Sequence, residues 1–113
     1  MARTVRSGAE CVAASASLAK AFEFLGKRWN GVVLGTLSEG PAGFRGLSRA
    51  IGGISDSMLS DRLSDLCRAG LIDRTVDPGP PVSVTYALTA RGQALVPALE
   101  QIARWAEEHL PGD

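Results

Sequence analysis

The chain has 113 residues, with 12 Lys+Arg balanced by 12 Asp+Glu, one His, and a formal net charge of zero. That length supports one domain with a modest core and falls well short of a (β/α)8 barrel or a dinucleotide-binding enzyme. The charge balance also withholds the basic signature that advertises nucleic acid or anionic membrane.

From Ala13 the pattern turns helical, with Leu18, Phe22 and Leu25 at i, i+4, i+7. Gly26 reads as a stop, where glycine tolerates the left-handed conformation. A second helix places Trp29, Val32, Val33 and Leu37 on one face and ends at Glu39-Gly40-Pro41. A third carries Phe44, Leu47 and Ile51 and stops at Gly52-Gly53. In the fourth, Ser55 is the predicted N-cap, Leu59, Leu63 and Leu66 form the apolar stripe, and Ala69-Gly70 closes the helix.

The period then changes from helical to alternating. Ile72, Arg74 and Val76 alternate with Asp73 and Thr75, and Val82, Val84, Tyr86 and Leu88 alternate with Ser83, Thr85 and Ala87. Asp77-Pro78-Gly79-Pro80-Pro81 between them is a turn, because the prolines lack donors for a ladder. Thr89 caps a final helix of about twenty residues. Leu95, Leu99, Ile102, Ala106 and Leu110 run along it, with Pro97 inside as an expected bend.

These parts predict a mainly α fold with a β-hairpin wing (α+β), a winged helix-turn-helix over residues 13–110. Residues 1–12 form a flexible lead-in and 111–113 a short tail in this reading. No apolar run approaches the ~20 residues needed to span a bilayer, and the N-terminus lacks the apolar stretch of a signal peptide. Cys11 and Cys67 make no metal-ligand pattern, so neither metal nor cofactor is expected. The expectation is a cytoplasmic, nucleoid-associated protein with reduced thiols. The lone His109 offers no nucleophile–base pair, which argues against an enzyme.

Around the leucine stripe of the fourth helix stand Ser57, Ser60, Asp61, Arg62, Ser64, Asp65 and Arg68. Serines reach phosphates or base edges and Arg62 is suited to guanine, whereas the aspartates oppose phosphate. Regional charge sharpens this. Residues 1–74 hold ten basic and seven acidic side chains, a net +3, and residues 75–113 hold two and five, a net −3. A mildly basic reading head is joined to an acidic tail.

Several motifs, in order, resemble the HxlR family of bacterial winged-helix regulators, which is related to the MarR regulators. Leu25-Gly26-Lys27-Arg28-Trp29 is similar to its LGG(K/R)W opening and Phe44-x-x-Leu47 to its F-x-x-L helix. Gly53-Ile54-Ser55-x-x-Met58-Leu59-Ser60-x-Arg62-Leu63-x-x-Leu66 is similar to its recognition helix. Ala69-Gly70-Leu71-Ile72-x-Arg74 resembles its strand entry, and Pro80-Pro81 with Val84-x-Tyr86-x-Leu88-Thr89-x-x-Gly92 its wing exit. The resemblance spans roughly residues 16–110.

It implies a homodimer that binds double-stranded DNA at a palindromic operator, built on the first and last helices. Leu18, Phe22, Leu99, Ile102, Trp105 and Ala106 are the candidate interface, with the monomer core as the competing place for Trp105. The candidate DNA contacts are Arg45, Arg49, Ser55, Ser57, Ser60, Asp61, Arg62, Arg74 and Ser83. Many family members carry a redox-sensing cysteine where this chain has Ala16, five residues after Cys11. Cys11 is therefore either a displaced redox sensor or a free surface thiol, and a small-molecule effector between the first and last helices is the other candidate signal. The family's basic residue before Met58 is Ser57 here, Asp56 stands where proline is common, and the wing arginine is Ser83. The functional alternatives are a sequence-specific transcriptional regulator and a winged-helix protein-interaction module without specific DNA binding.

Overall fold

A computed structural model describes residues 8–110 and 112, with the backbone alone for residues 8–14 and Phe24. The order is α1 (Gly8–Leu25), α2 (Arg28–Leu37), α3 (Phe44–Ile51), α4 (Asp56–Arg68), β1 (Ile72–Asp77), β2 (Ser83–Leu88) and α5 (Ala90–His109). This is the winged helix-turn-helix expected from the hydrophobic periods. No helix is long and apolar enough to cross a membrane among the described residues.

The core lies in the middle of the chain. Val33, Leu34 and Leu37 of α2 meet Leu47 of α3, Leu59, Leu63 and Leu66 of α4, and Leu71 and Ile72 at the wing base. Each helix is amphipathic, so packing three apolar faces together removes them from water at once. The caps follow from local chemistry. Ser55 Oγ accepts the Met58 N–H at 3.1 Å, and Thr89 Oγ1 accepts that of Gly92 at 3.2 Å while donating to the Gly70 carbonyl. Gly52 and Gly53 have φ of 68° and 72°, the left-handed region, which turns the chain between α3 and α4.

Four details depart from the sequence reading. Helix α1 begins at Gly8, five residues before Ala13. Gly26 does not have a positive φ. A Cβ there would stand 2.6 Å from the Phe22 carbonyl oxygen, so close approach, rather than handedness, excludes a side chain. Val82 falls just outside β2, which pairs with β1 antiparallel from Ile72↔Leu88 to Asp77↔Ser83. Ala42 adds a bridge to Tyr86, donating at 3.0 Å and accepting at 2.8 Å, in a segment read from sequence only as a breaker. Helix α5 has the expected length, 20 residues with Pro97 inside it.

The molecule is elongated. Its extents are 60 × 33 × 23 Å and its radius of gyration is 16.9 Å, against about 13 Å for a compact domain of this length. Helices α1 and α5 expose apolar side chains, among them Leu18, Phe22, Ile102 and Trp105.

Candidate nucleic-acid interface

Burying Leu59, Leu63 and Leu66 fixes the rotation of α4 about its axis. The opposite face then carries Ser57, Ser60, Asp61 and Ser64, all exposed. This is the second helix of the helix-turn-helix, the element that enters the major groove in such folds. Arg45 and Arg49 lie exposed on α3, and Arg74 and Ser83 lie exposed on the wing strands. Ser55 is exposed too, but its hydroxyl is engaged as the cap.

Arg62 differs from expectation. Its side chain is only 12% exposed, its guanidinium lies 2.9 Å from Asp65 Oδ2, and its Nε is buried without a partner. The i, i+3 spacing bends it back along the helix toward Asp65. Arg62 is thus drawn into the protein and is not displayed on the outward face.

Two of the three α4 aspartates are already matched. Asp56 pairs with Arg45 at 3.0 Å. Asp65 receives Lys27 at 3.1 Å, from the α1–α2 junction, together with Arg62 and Arg68 of its own helix. The Lys27 hydrogen bond, with the Arg62 charge and the Arg68 hydrogen bond, outweighs burial and holds the Asp65 carboxyl below its ordinary pKa. Asp61 alone of the three has no ion pair among the described residues. The aspartates therefore oppose phosphate less than their number suggests.

Two clefts flank α4. The wing-side cleft encloses about 450 Å³ and is lined by Ser60, Ser64, Cys67, Arg68, Arg74 and Tyr86 with Leu63. The α2-side cleft encloses about 380 Å³ between Lys27, Arg28, Trp29, Met58 and Arg62. Arg28 there lies 4.5 Å from the Trp29 ring centroid, a cation–π contact. Ser64 and Arg68 were not singled out as contacts from sequence. Their signal was available, since both share the α4 surface with Ser60. Cys67 packs at the edge of the core, and burial, with Asp73 adding, pushes its thiol pKa up.

The candidate interface residues fall on the two arms. Leu18 is 60% and Phe22 50% exposed on α1, and Ile102 is 50% and Trp105 54% exposed on α5. Trp105 is therefore outside the monomer core, and its ring tilts against His109 with centroids 5.8 Å apart. Ala106 is half-buried, and Leu99 packs partly against the core. The Cys11 side chain lies outside the described residues, although its backbone is part of α1.

A helix-turn-helix with a solvent-facing second helix and an antiparallel wing defines a winged helix-turn-helix DNA-binding protein. The profile of the HxlR-like helix-turn-helix proteins matches residues 24–113, and the chain belongs to that family. The HTH-type transcriptional regulator YodB of Bacillus subtilis (strain 168) is 40% identical over 94 residues, 82% of this chain and 84% of YodB.

The reduced form of YodB superposes with a TM-score of 0.75 at 39% identity, covering 86% of this chain and 96% of that one. YodB has also been solved diamide-treated and quinone-bound, each with a TM-score of 0.70. A MarR-family regulator from Porphyromonas gingivalis W83 matches with a TM-score of 0.79 and 30% identity over 95% of this chain and 99% of its own. The redox regulator HypR in its oxidized form matches with 0.78 and 27% over 86% and 98%. The chain is a DNA-binding transcriptional regulator, and the interaction module without DNA is not supported.

Proposed function

We propose that this regulator acts as a homodimer joined through α1 and α5, which sets two α4 helices into successive major grooves of a palindromic operator. The observation that carries the dimer is the exposed apolar series Leu18, Phe22, Ile102 and Trp105 on the first and last helices. Exposed apolar surface of this kind marks an interface. A two-fold dimer repeats its reading helix, so the operator must repeat its half-site at one helical turn. Ser57, Ser60 and Asp61 face the bases in this arrangement, and Ser55 the adjoining backbone. Arg45, Arg49, Arg74 and Ser83 reach phosphates, and Arg62 acts from behind through its bond to Asp65.

The regulator works in the cytoplasm on the nucleoid, carries out no enzymatic reaction and needs no cofactor. Selecting bound sequences from genomic fragments tests the central part. Recovery of an inverted repeat, with binding lost when one half-site is scrambled, supports it. Recovery of a single asymmetric site bound by one protomer contradicts it.

The proposed input is a thiol-reactive or small-molecule signal. The support is that the similar YodB has been solved in diamide-treated and quinone-bound forms. Cys11, within α1, is the candidate sensor, because α1 is also a proposed dimer arm. Mild oxidation of the protein–DNA complex should release the wild type and spare Cys11→Ser. Equal release of both proteins removes Cys11 from this role and leaves Cys67 as the remaining thiol, whereas release of neither leaves a non-thiol effector.

A further inference from the structure

The three cations gathered by Asp65 are not spread at random. Arg68 lines the wing-side cleft beside Ser60, Ser64 and Arg74, while Lys27 and Arg62 line the α2-side cleft. One carboxylate of α4 thus holds cations on both flanks of the helix, Arg68 on the wing side and Lys27 and Arg62 on the α2 side. A recognition helix in a major groove has a phosphate strand on each flank, so these are the places where cations meet phosphate. Lys27 and Arg68 are open to solvent and so accessible to phosphate, being 53% and 74% exposed, whereas Arg62, at 12%, is not. Arg74, in the same wing-side cleft as Arg68, has no ion pair among the described residues.

We infer that Asp65 is a specificity-determining residue: its carboxylate occupies Lys27 and Arg68 in place of DNA phosphate, which suppresses non-specific binding and leaves discrimination to the outward face of α4. This rests on the reading of α4 as the recognition helix. The physical reason is competition. Phosphate contacts supply most sequence-independent affinity, and each cation committed to them releases counterions. A cation already held by an internal carboxylate adds less, because the phosphate must displace that carboxylate. Asp65 itself touches no base in this account, so it acts by positioning the cations.

The test measures binding of wild type and Asp65→Asn to random-sequence duplex and to the selected operator over a salt series. Freeing two cations steepens the salt slope for random duplex by about 1.8 per protomer. Between 50 and 200 mM salt this is about tenfold more affinity lost per protomer, and on the order of a hundredfold more for the proposed dimer, where the slope change doubles to about 3.6. Asp65→Asn is expected to bind random DNA more tightly at low salt and to show a smaller operator-to-random ratio. Unchanged or weaker random-sequence binding, with an unchanged slope, overturns the inference.

If Asp65→Asn fails to fold by circular dichroism, Arg68→Gln and Arg74→Gln decide instead. Arg74→Gln should lower the random-duplex slope by about 1 and Arg68→Gln by clearly less, and equal losses overturn the inference. Ser57→Ala and Ser60→Ala distinguish the two levels. If they leave operator binding intact, the α4 reading itself fails. If they weaken it while the Asp65 and Arg68 results go against expectation, only the role of Asp65 fails.

Discussion

The reading head and the two arms are built on opposite terms. In the head, α2, α3, α4 and the wing base bury ten apolar side chains against one another, from Val33 to Ile72. In the arms, Gly92 is the one buried residue of α5, and α1 contributes none among the described side chains. Even Gly92 serves the head, because a Cβ there would come 2.2 Å from the Leu71 carbonyl oxygen and force α5 off the wing base. The head is complete as a single chain, whereas the arms present apolar surface that only another surface can cover. In the proposed dimer, stability and assembly therefore rest on different residues, and substitutions should separate them.

The largest effect is expected in the head. Leu59 is fully buried, and Leu59→Ala should cost about 2–5 kcal/mol in lost transfer energy and cavity, read as a lower urea midpoint or Tm. Trp105→Ala should leave the head folded and instead weaken self-association, by about 2 kcal/mol or roughly thirtyfold in Kd if the indole anchors the interface. Sedimentation over a concentration series separates the two outcomes. If Trp105→Ala instead lowered stability and left association unchanged, the distinction between head and arm would collapse.

Smaller effects probe α4. Ser55→Ala removes the acceptor for the Met58 N–H and should cost about 1 kcal/mol, with Ser55→Thr retaining most of it. The Asp65 pKa is depressed, so the pairing it contributes is present above its ordinary value of 3.8 and disappears as pH falls through the lower folded value. Melting of wild type and Asp65→Asn should therefore converge in acid below that range and differ above it. A difference that persists unchanged into strong acid would show that the carboxylate's charge is not what matters.

The head was largely legible in the sequence because its signals are local. The leucine stripe of α4, the Ser55 and Thr89 caps and the alternation across the hairpin each sit within a few residues. Its exceptions are contacts that cross the chain. Lys27 meets Asp65 over 38 positions, and Ala42 bridges Tyr86 through backbone groups that no side-chain pattern announces. Arg62 was misplaced for a related reason. Its face on α4 was readable, but a long flexible side chain takes its direction from its partner, and Asp65 draws it inward. The Asp65 cluster was half visible, since Arg62 and Arg68 lie three residues on either side of it. For Trp105, the family resemblance offered the interface with the core as the competing place, since an indole suits both, and only its 54% exposure separates them.

The central claim is that the arms pair two reading heads across one operator. The most direct measurement is the mass of the saturated complex on a single isolated inverted repeat, by sedimentation equilibrium after subtracting the duplex. Two protomers of 11.8 kDa per duplex, with none stably bound singly, are predicted. Saturation at one protomer per duplex would contradict it.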